Sequence, residues 1–349
     1  MKERREMESC RGIRRRADLP AFWIIALAAT ALVAALVFAV AHGHAAAPAQ
    51  QERRSQVQPQ DPPQIRVSVN LVLVEATVKS RAGQIMGDLK KEDFIVEDNG
   101  QPQQISSFSR DELPLAVALV VDISGSIQPF LKPLRYATLT ALKTLKPEDE
   151  VAMFTFAGQV DRRVELTKDK REVSDQLEFL QAGGATNINR AIYDAARYLQ
   201  QEAPAARRVI VLISDDVPTV ADPIDHKQVV DSALEADAAV YNLKVPGDNP
   251  VAARMMTAGR GMVNVNKLTQ ETGGEIFDVE KEGSLFLAFQ DLIQRLKTRY
   301  TIGFYPANPD RSRGFHKLSL RLQPSFGADG RDYNVLSKSG YYAYGTATQ

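Results

Sequence analysis

A continuous run of apolar residues, Leu115–Val121, constrains the fold of this chain more than any other segment. Strands that are buried on both faces, as in parallel sheets, carry such unbroken runs, whereas half-exposed strands alternate between apolar and polar residues. Asp122 follows the run directly, and Ser124 and Ser126 come shortly after it. In open α/β sheets, ligands bind beyond the carboxyl ends of the strands. The segment therefore predicts a buried parallel strand that ends in a polar turn, with a candidate binding site at that turn.

Two further segments strengthen this prediction, since a single D-x-S-x-S match is weak when Asp and Ser are common in turns and helix caps. A glycine-containing loop with Thr186 leads into a predicted helix, and the apolar strand Arg208–Ile213 is followed by Asp215. The carboxyl ends of parallel strands share one edge, so we expect these side chains to meet above the sheet. Oxygen ligands with few carboxylates suit a hard divalent cation such as Mg²⁺.

The three segments together resemble the metal-ion-dependent adhesion site of von Willebrand factor A domains, in the order and context typical of that family. The resemblance implies a bound Mg²⁺, with Mn²⁺ and Ca²⁺ as alternatives, and a partner's Asp or Glu carboxylate as the last ligand. The family usually has glycine after the last aspartate, whereas this chain has Asp216. The Asp216 carboxylate could add to the site or face water, and of these two we expect it to face water. The ligands that the resemblance implies are Asp122, Ser124, Ser126, Thr186 and Asp215.

Alternating strand and helix patterns over residues 114–298 predict the fold class, an α/β domain with a doubly wound, mostly parallel sheet. The predicted order is strand, helix, strand, strand, helix, helix, strand, helix, strand, helix. Residues 150–157 and 163–167 form a predicted strand pair around a turn at Gly158. The last helix, from residue 284 to about 298, carries an apolar stripe at helical spacing and is interpreted as a core-facing helix.

The flanking segments, residues 65–113 and 299–345, carry β patterns, and each has too few strands for a core of its own. We expect them to pair into one small β-sandwich. The α/β domain predicted over residues 114–298, here called the A domain, would be inserted between them. Segments such as Asn70–Val78, Tyr300–Pro306 and Gly340–Tyr342 are similar to those of exported, von Willebrand factor A-related bacterial proteins, found notably in acidobacteria. That resemblance implies architecture more than activity.

The N-terminal region predicts export. Residues 21–41 are uncharged and would span about 30 Å as a helix, the thickness of the bilayer's hydrocarbon core. Basic residues precede this stretch in excess, which favours a cytoplasmic tail at residues 1–20 and a transmembrane signal anchor at residues 21–41. Residues 42–64 are rich in Pro and Gln and are predicted to form a linker. The globular part would lie in the periplasm, held on the inner membrane. The alternative is a cleaved signal peptide, with Ala47–Ala49 as the cleavage region and a secreted product.

Composition and motifs argue against several other functions. The chain has 43 basic and 43 acidic side chains, so no global field favours nucleic acid. Cys10 is the only cysteine, and no Cys/His spacing indicates zinc. The second Asp of haloacid dehalogenase-type phosphatases, the G-x-S-x-G elbow and the G-x-G-x-x-G loop are all missing after the first strand of the domain. We therefore predict a non-enzymatic adhesion or scaffold module. The alternatives are a metal-independent scaffold of the cell envelope and a Mg²⁺-dependent hydrolase.

Overall fold

The computed structural model describes residues 71–110, 113–247, 261–307, 314–324 and 333–343. All of them belong to one compact unit, Arg66–Gln349. The predicted tail, anchor and linker over residues 1–64 lie outside the described residues. Among the helices that the structure describes, none is long and apolar enough to cross a membrane.

Strands and helices alternate through the middle of the described chain, and strands alone lie on either side. The strands are β1 (Val72–Ser80), β2 (Phe94–Asp98), β3 (Gln101–Gln103), β4 (Ile105–Arg110), β5 (Leu115–Asp122), β6 (Glu150–Phe156), β7 (Val160–Thr167), β8 (Arg207–Ser214), β9 (Ala238–Lys244), β10 (Ile276–Asp278), β11 (Tyr300–Phe304), β12 (Gly314–Leu322), β13 (Tyr333–Ser337) and β14 (Gly340–Ala343). The α-helices are α1 (Leu131–Leu142), α2 (Lys170–Glu178), α3 (Ile188–Glu202), α4 (His226–Glu235), α5 (Val265–Thr272) and α6 (Leu285–Lys297). Short 3₁₀ turns lie at Lys91–Asp93, Gly125–Phe130 and Glu282–Ser284.

A six-stranded sheet in the order β10-β9-β8-β5-β6-β7 forms the centre of the A domain. Every pair in it is parallel except β6 with β7. Helices α1, α2 and α6 pack on one face, and α3, α4 and α5 pack on the other. Because β5 lies between these two layers, all of its residues are buried, as its apolar run requires. The predicted fold class, a doubly wound and mostly parallel α/β domain, is confirmed.

The turn between β6 and β7 was predicted, but two other elements of the A domain were not. The turn at Gly158 joins β6 to β7 as expected, with the amide of Ala157 donating to the carbonyl of Gln159 at 2.9 Å. However, α5 and β10 come before the last helix, where the sequence pattern predicted no helix or strand. β10 has only three residues, too few for a strand pattern to stand out.

The flanking strands form two four-stranded sheets that pack on each other. One has the order β13-β1-β11-β4 and the other β14-β12-β2-β3. Each sheet takes strands from both sides of the A domain, and apolar residues of both sheets share one core. Pairing is antiparallel throughout, with β1 between β11 and β13, and β12 between β2 and β14. The domain boundaries predicted from the sequence, residues 65–113, 114–298 and 299–345, stay predictions.

Buried charges join this sandwich to the A domain. Glu75 of β1 contacts Arg207 of β8 at 2.8 Å and Arg299 at 3.4 Å. Arg299 is almost completely buried, and it donates to the Tyr241 hydroxyl at 3.0 Å and to the carbonyl of Gly273 at 3.3 Å. Because a buried guanidinium is costly without partners, this network resists separation of the two parts.

Candidate functional site

The end of β5 and the turn after it hold the first part of the candidate site. Asp122 is fully buried, and its Oδ1 accepts a hydrogen bond from the amide of Ser124 at 2.8 Å. This contact turns the chain back over the strand end, as Asp side chains commonly do in turns. The hydroxyl of Ser124 lies 3.2 Å from that of Ser126. One carboxylate and two hydroxyls therefore converge within a single turn.

The loop before α3 brings Thr186 to the same edge of the sheet. The amide of Gly183 donates to the carbonyl of Ile123 at 2.7 Å, and the amide of Asn187 donates to the carbonyl of Ala157 at 2.8 Å. Ile123 follows β5 and Ala157 follows β6, so the loop lies across the ends of two neighbouring strands. Thr186 is buried there.

The loop after β8 carries Asp215 and closes the arrangement. Asp215 is buried, and its Oδ1 accepts a hydrogen bond from the amide of Val217 at 3.1 Å. The hydroxyl of Thr219 accepts from the amide of Thr186 at 2.7 Å, and the amide of Thr219 donates to the Thr186 carbonyl at 3.0 Å. Since the loop before α3 is also bonded to Ile123, hydrogen bonds link all three loops. The structure thus places all the predicted ligand positions on three joined loops at the carboxyl edge of the central sheet. They are Asp122, Ser124, Ser126, Thr186 and Asp215.

Ser214, which sequence reasoning missed, joins the third loop to the first. Its hydroxyl donates to Oδ2 of Asp122 at 2.7 Å and accepts from the amide of Asp216 at 3.2 Å. Both oxygens of Asp122 are therefore held by protein donors, and the carboxylate is fixed in orientation. The only sequence signal is a polar residue directly after the apolar run Val209–Ile213.

The expectation that the Asp216 carboxylate faces water is wrong. Both of its oxygens accept from the side-chain amide of Asn242 on β9, at 3.0 and 2.8 Å. Its backbone has a φ of 61°, in the left-handed region that favours glycine. The position thus keeps the conformation that the family's glycine would adopt without strain, while the carboxylate turns back towards the sheet. Asn242 supplies the partner that makes this possible.

Burial dominates the electrostatics of this edge. It raises the pKa of Asp122 from an ordinary value of 3.8 to about 6, against the opposing effect of the hydrogen bonds from Ser124 and Ser214. It likewise raises the pKa of Asp216 to about 7, against the nearby charge of Lys244. The negative charge of Asp215 adds to both shifts. A site with several carboxyl groups in a poorly solvated setting favours either protons or a cation.

Gly247, after β9, leaves space beside Asp215. A Cβ at Gly247 would lie 2.9 Å from Oδ2 of Asp215 and 3.2 Å from its Cβ, closer than ordinary side-chain contacts. Glycine is therefore the residue that lets this segment pass the carboxylate without displacing it.

The chemistry of the donor set fits the metal that the resemblance implies. The five candidate ligands offer only oxygen atoms, and hard divalent cations prefer carboxylate and hydroxyl oxygens to nitrogen or sulfur. Two carboxylates balance the charge of one such ion and would relieve the unfavourable burial of Asp122. In the described residues, no group of three or more His, Cys, Asp and Glu side chains is arranged as a metal site.

Comparison with known protein families gives a match within the A domain. Residues 117–217 match the family model of the von Willebrand factor type A domain. The chain contains a von Willebrand factor type A domain, whose matched range includes all of the candidate ligands. No curated protein matches the sequence.

Several solved structures are similar to part of the chain. An aerotolerance-related membrane protein from Bacteroides fragilis is 20% identical, over 52% of this chain and 99% of that one, with a TM-score of 0.40. The conserved hypothetical protein BatB from Bacteroides thetaiotaomicron is also 20% identical, over 52% and 97%, with a TM-score of 0.39. A von Willebrand factor type A protein from Catenulispora acidiphila is 12% identical, over 79% and 73%, with a TM-score of 0.44.

Proposed function

We propose that this protein is an exported binding module that captures an Asp or Glu carboxylate of a protein partner through a divalent cation. Mg²⁺ is the proposed ion, and Mn²⁺ and Ca²⁺ have the same ligand preference. The proposed ligands are Asp122, Ser124, Ser126, Thr186 and Asp215.

One observation carries this proposal, the closed circuit of hydrogen bonds among the three loops. Ile123 is bonded to Gly183, Thr186 to Thr219, and Ser214 to Asp122. Sites that must bind with defined geometry are held by such supporting contacts, because loosely held ligands bind weakly. This circuit fixes oxygen atoms on loops that follow different strands. Such an arrangement favours a metal site over the alternative that the three loops are turns without a ligand.

The residues also support an open coordination position. Asp122 and Asp215 are the only charged groups of the five, and the hydroxyls of Ser124, Ser126 and Thr186 are neutral. Two carboxylates only offset the charge of one divalent cation, so the site as a whole has no excess negative charge. A further carboxylate is therefore not repelled and can bind the cation. In this arrangement the protein residues hold and orient the ion, and the surrounding loops select the partner.

The location and the absence of catalysis are parts of the same proposal. The uncharged stretch 21–41 and the basic residues before it support a membrane anchor with the A domain in the periplasm. Binding rather than catalysis is proposed because the first strand of the domain is not followed by the second Asp of haloacid dehalogenase-type phosphatases, a G-x-S-x-G elbow or a G-x-G-x-x-G loop.

A peptide-display selection tests this function without a known partner. A random-peptide library is panned on the purified full-length chain in Mg²⁺ and eluted with EDTA. We expect the enriched peptides to carry Asp or Glu, and we expect Asp122→Ala and Thr186→Ala proteins to enrich none. Peptides without acidic residues, or binding that persists in EDTA, would instead assign binding to a metal-independent surface.

A further inference from the structure

A groove lies between the A domain and the sandwich, and none of the five candidate metal ligands lines it. Its volume is about 460 Å³, within the range of small-ligand pockets, which are common between domains. α4 and α5 line one side, and β12 and β14 line the other. The hydroxyl of Tyr342 in β14 donates to Oδ1 of Asp231 in α4 at 2.7 Å, and the amide of Ser339 donates to the carbonyl of Glu271 in α5 at 2.8 Å. These bonds fix the two sides of the groove relative to each other.

Apolar side chains from both sides line this groove. Val230 and Leu234 lie one turn apart in α4. Opposite them, the rings of Phe315 and Tyr342 pair across β12 and β14 with 5.4 Å between centroids and an angle of 60°. The Phe315 ring also lies against Gly340, where a side chain would collide with it, and 47% of Phe315 stays exposed. An apolar or aromatic group in the groove can therefore pack on rings that the protein already holds in place.

Positive charge is in excess around these apolar residues. Lys227 is paired with Asp231, and Lys267 lies 3.7 Å from Glu271. Lys317, on the exposed face of β12, makes no ion pair with any residue that the structure describes. These five are the acidic and basic side chains of the lining, apart from a histidine, so one positive charge is left over. A ligand with a single negative charge complements it.

His226, the first residue of α4, adds a hydrogen-bond donor to the lining of the groove. Its Nδ1 accepts from the amide of Asn264 at 3.4 Å, so the neutral ring carries its proton on Nε2. Burial lowers the pKa of His226 below its ordinary 6.5, and the charge of Lys267 lowers it further, which favours the neutral ring. Nε2 is buried and has no hydrogen-bond partner among the described residues. An oxygen atom of a ligand would remove the unfavourable burial of this donor.

We infer that this groove binds a small carboxylic acid with an aromatic or branched apolar body. The body packs between α4 and the rings of Phe315 and Tyr342, and the oxygen atoms of the acid accept hydrogen bonds from Lys317 and His226. The occupant is a small molecule because the groove has the volume of a small-ligand pocket and both of its sides belong to this chain. A phosphate ester fits less well, since its second negative charge would have no match in the lining. This site does not depend on the proposed metal site.

An NMR titration of the full-length chain tests this inference. It is run in EDTA, so that a carboxylate cannot bind through a metal ion. The probes are phenylpropionate, the uncharged phenylpropanamide, the cationic phenylpropylamine and a short peptide that ends in phenylalanine. The groove variants are Lys317→Gln and His226→Leu. Lys132→Gln is the control, because it removes an exposed lysine from α1, which packs on the opposite face of the central sheet. Thermal unfolding establishes that each variant is folded.

We expect saturable binding of phenylpropionate, at least about tenfold tighter than binding of the amide or the amine. Lys317→Gln and His226→Leu should each weaken it about threefold or more, since each removes one contact of the acid, and Lys132→Gln should leave it unchanged. Equal binding of the acid and the amide, or unchanged affinity in the two folded groove variants, would overturn the inference. So would a lack of saturation up to about 10 mM, the range expected for so small a ligand. Binding of the peptide without binding of the free acid would overturn the assignment to a small molecule.

Discussion

The hydroxyl of Ser214 donates to Oδ2 of Asp122 at 2.7 Å, joining the ends of two neighbouring parallel strands. Ser214 ends β8, and Asp122 ends β5. Oδ1 of Asp122 is held in turn by the amide of Ser124. Two protein contacts, one local and one between strands, therefore fix the orientation of the Asp122 carboxylate.

Replacing Ser214 with alanine should weaken metal binding while leaving the fold. Without the hydroxyl, Asp122 loses the contact that orients one of its oxygens. Losses of such outer contacts typically lower metal affinity about 10- to 100-fold. Calorimetric titration of the full-length chain with Mg²⁺ measures the change, with Ser319→Ala on an exposed position of β12 as the control. Equal affinity for Ser214→Ala and the unmodified chain would show that this contact supports the strand ends alone.

The candidate ligands could be predicted because each lies in a recognisable context, an apolar run that ends in a polar residue or a glycine loop before a helix. The side chains that hold these ligands in place could not be predicted. Thr219 contacts Thr186 across 33 positions, and Ser214 contacts Asp122 across 92. Sequence patterns report local periodicity, whereas these contacts depend on which strands become neighbours in the sheet.

Gly247→Ala should disturb the Asp215 carboxylate directly. The added Cβ would lie 2.9 Å from Oδ2 of Asp215, so the carboxylate or the segment after β9 must shift. We expect Mg²⁺ affinity to fall by about tenfold or more, as for other losses of ligand orientation. Gly158→Ala is the matched control, because a Cβ there meets nothing within 4 Å. If both variants bind Mg²⁺ alike, Asp215 is not held where the structure places it.

The metal-free protein should lose stability as the pH rises from about 4 to about 7. Burial raises the pKa of Asp122 to about 6 and that of Asp216 to about 7, from 3.8. Between these values the folded chain holds protons that the unfolded chain has released, so unfolding releases protons and its free energy falls with increasing pH. Thermal unfolding in EDTA at pH 5 and pH 8 measures this effect.

Two additions sharpen the pH experiment. Mg²⁺ should restore stability mainly at pH 8, where the carboxylates are charged. Asp216→Asn, which keeps a residue that tolerates positive φ, should flatten the pH dependence by removing one of the two groups. Stability in EDTA that instead increases from pH 5 to pH 8, in both proteins, would contradict these pKa shifts.

Gly273→Ala should destabilise the junction between the A domain and the sandwich. Gly273 has a φ of 75°, and a Cβ there would lie 2.5 Å from the backbone of Ser337. The left-handed conformation and the overpacking together should lower the free energy of unfolding by about 3 kcal/mol. Denaturant unfolding measures the loss, with Gly158→Ala again as the control. Unchanged stability would show that β13 does not pack on α5 as the structure has it.

The fold class was accessible from sequence because β5 is an unbroken apolar run, α6 has an apolar stripe at helical spacing, and β6 and β7 flank a recognisable turn. The junction was not. Arg299 looks like an ordinary surface residue in the sequence, yet it is buried between Glu75 and Tyr241. Nor could the orientation of Asp216 be foreseen, because it depends on Asn242, a polar residue inside the mostly apolar β9.

Titration of the full-length chain with Mg²⁺ and Mn²⁺, beside the Asp122→Ala and Thr186→Ala forms, tests the central claim most directly. Thermal unfolding in EDTA establishes that each variant is folded. We predict saturable binding by the unmodified chain and its loss in both variants. Binding that is absent from the unmodified chain, or unchanged in folded Asp122→Ala and Thr186→Ala, would contradict a metal site on these three loops.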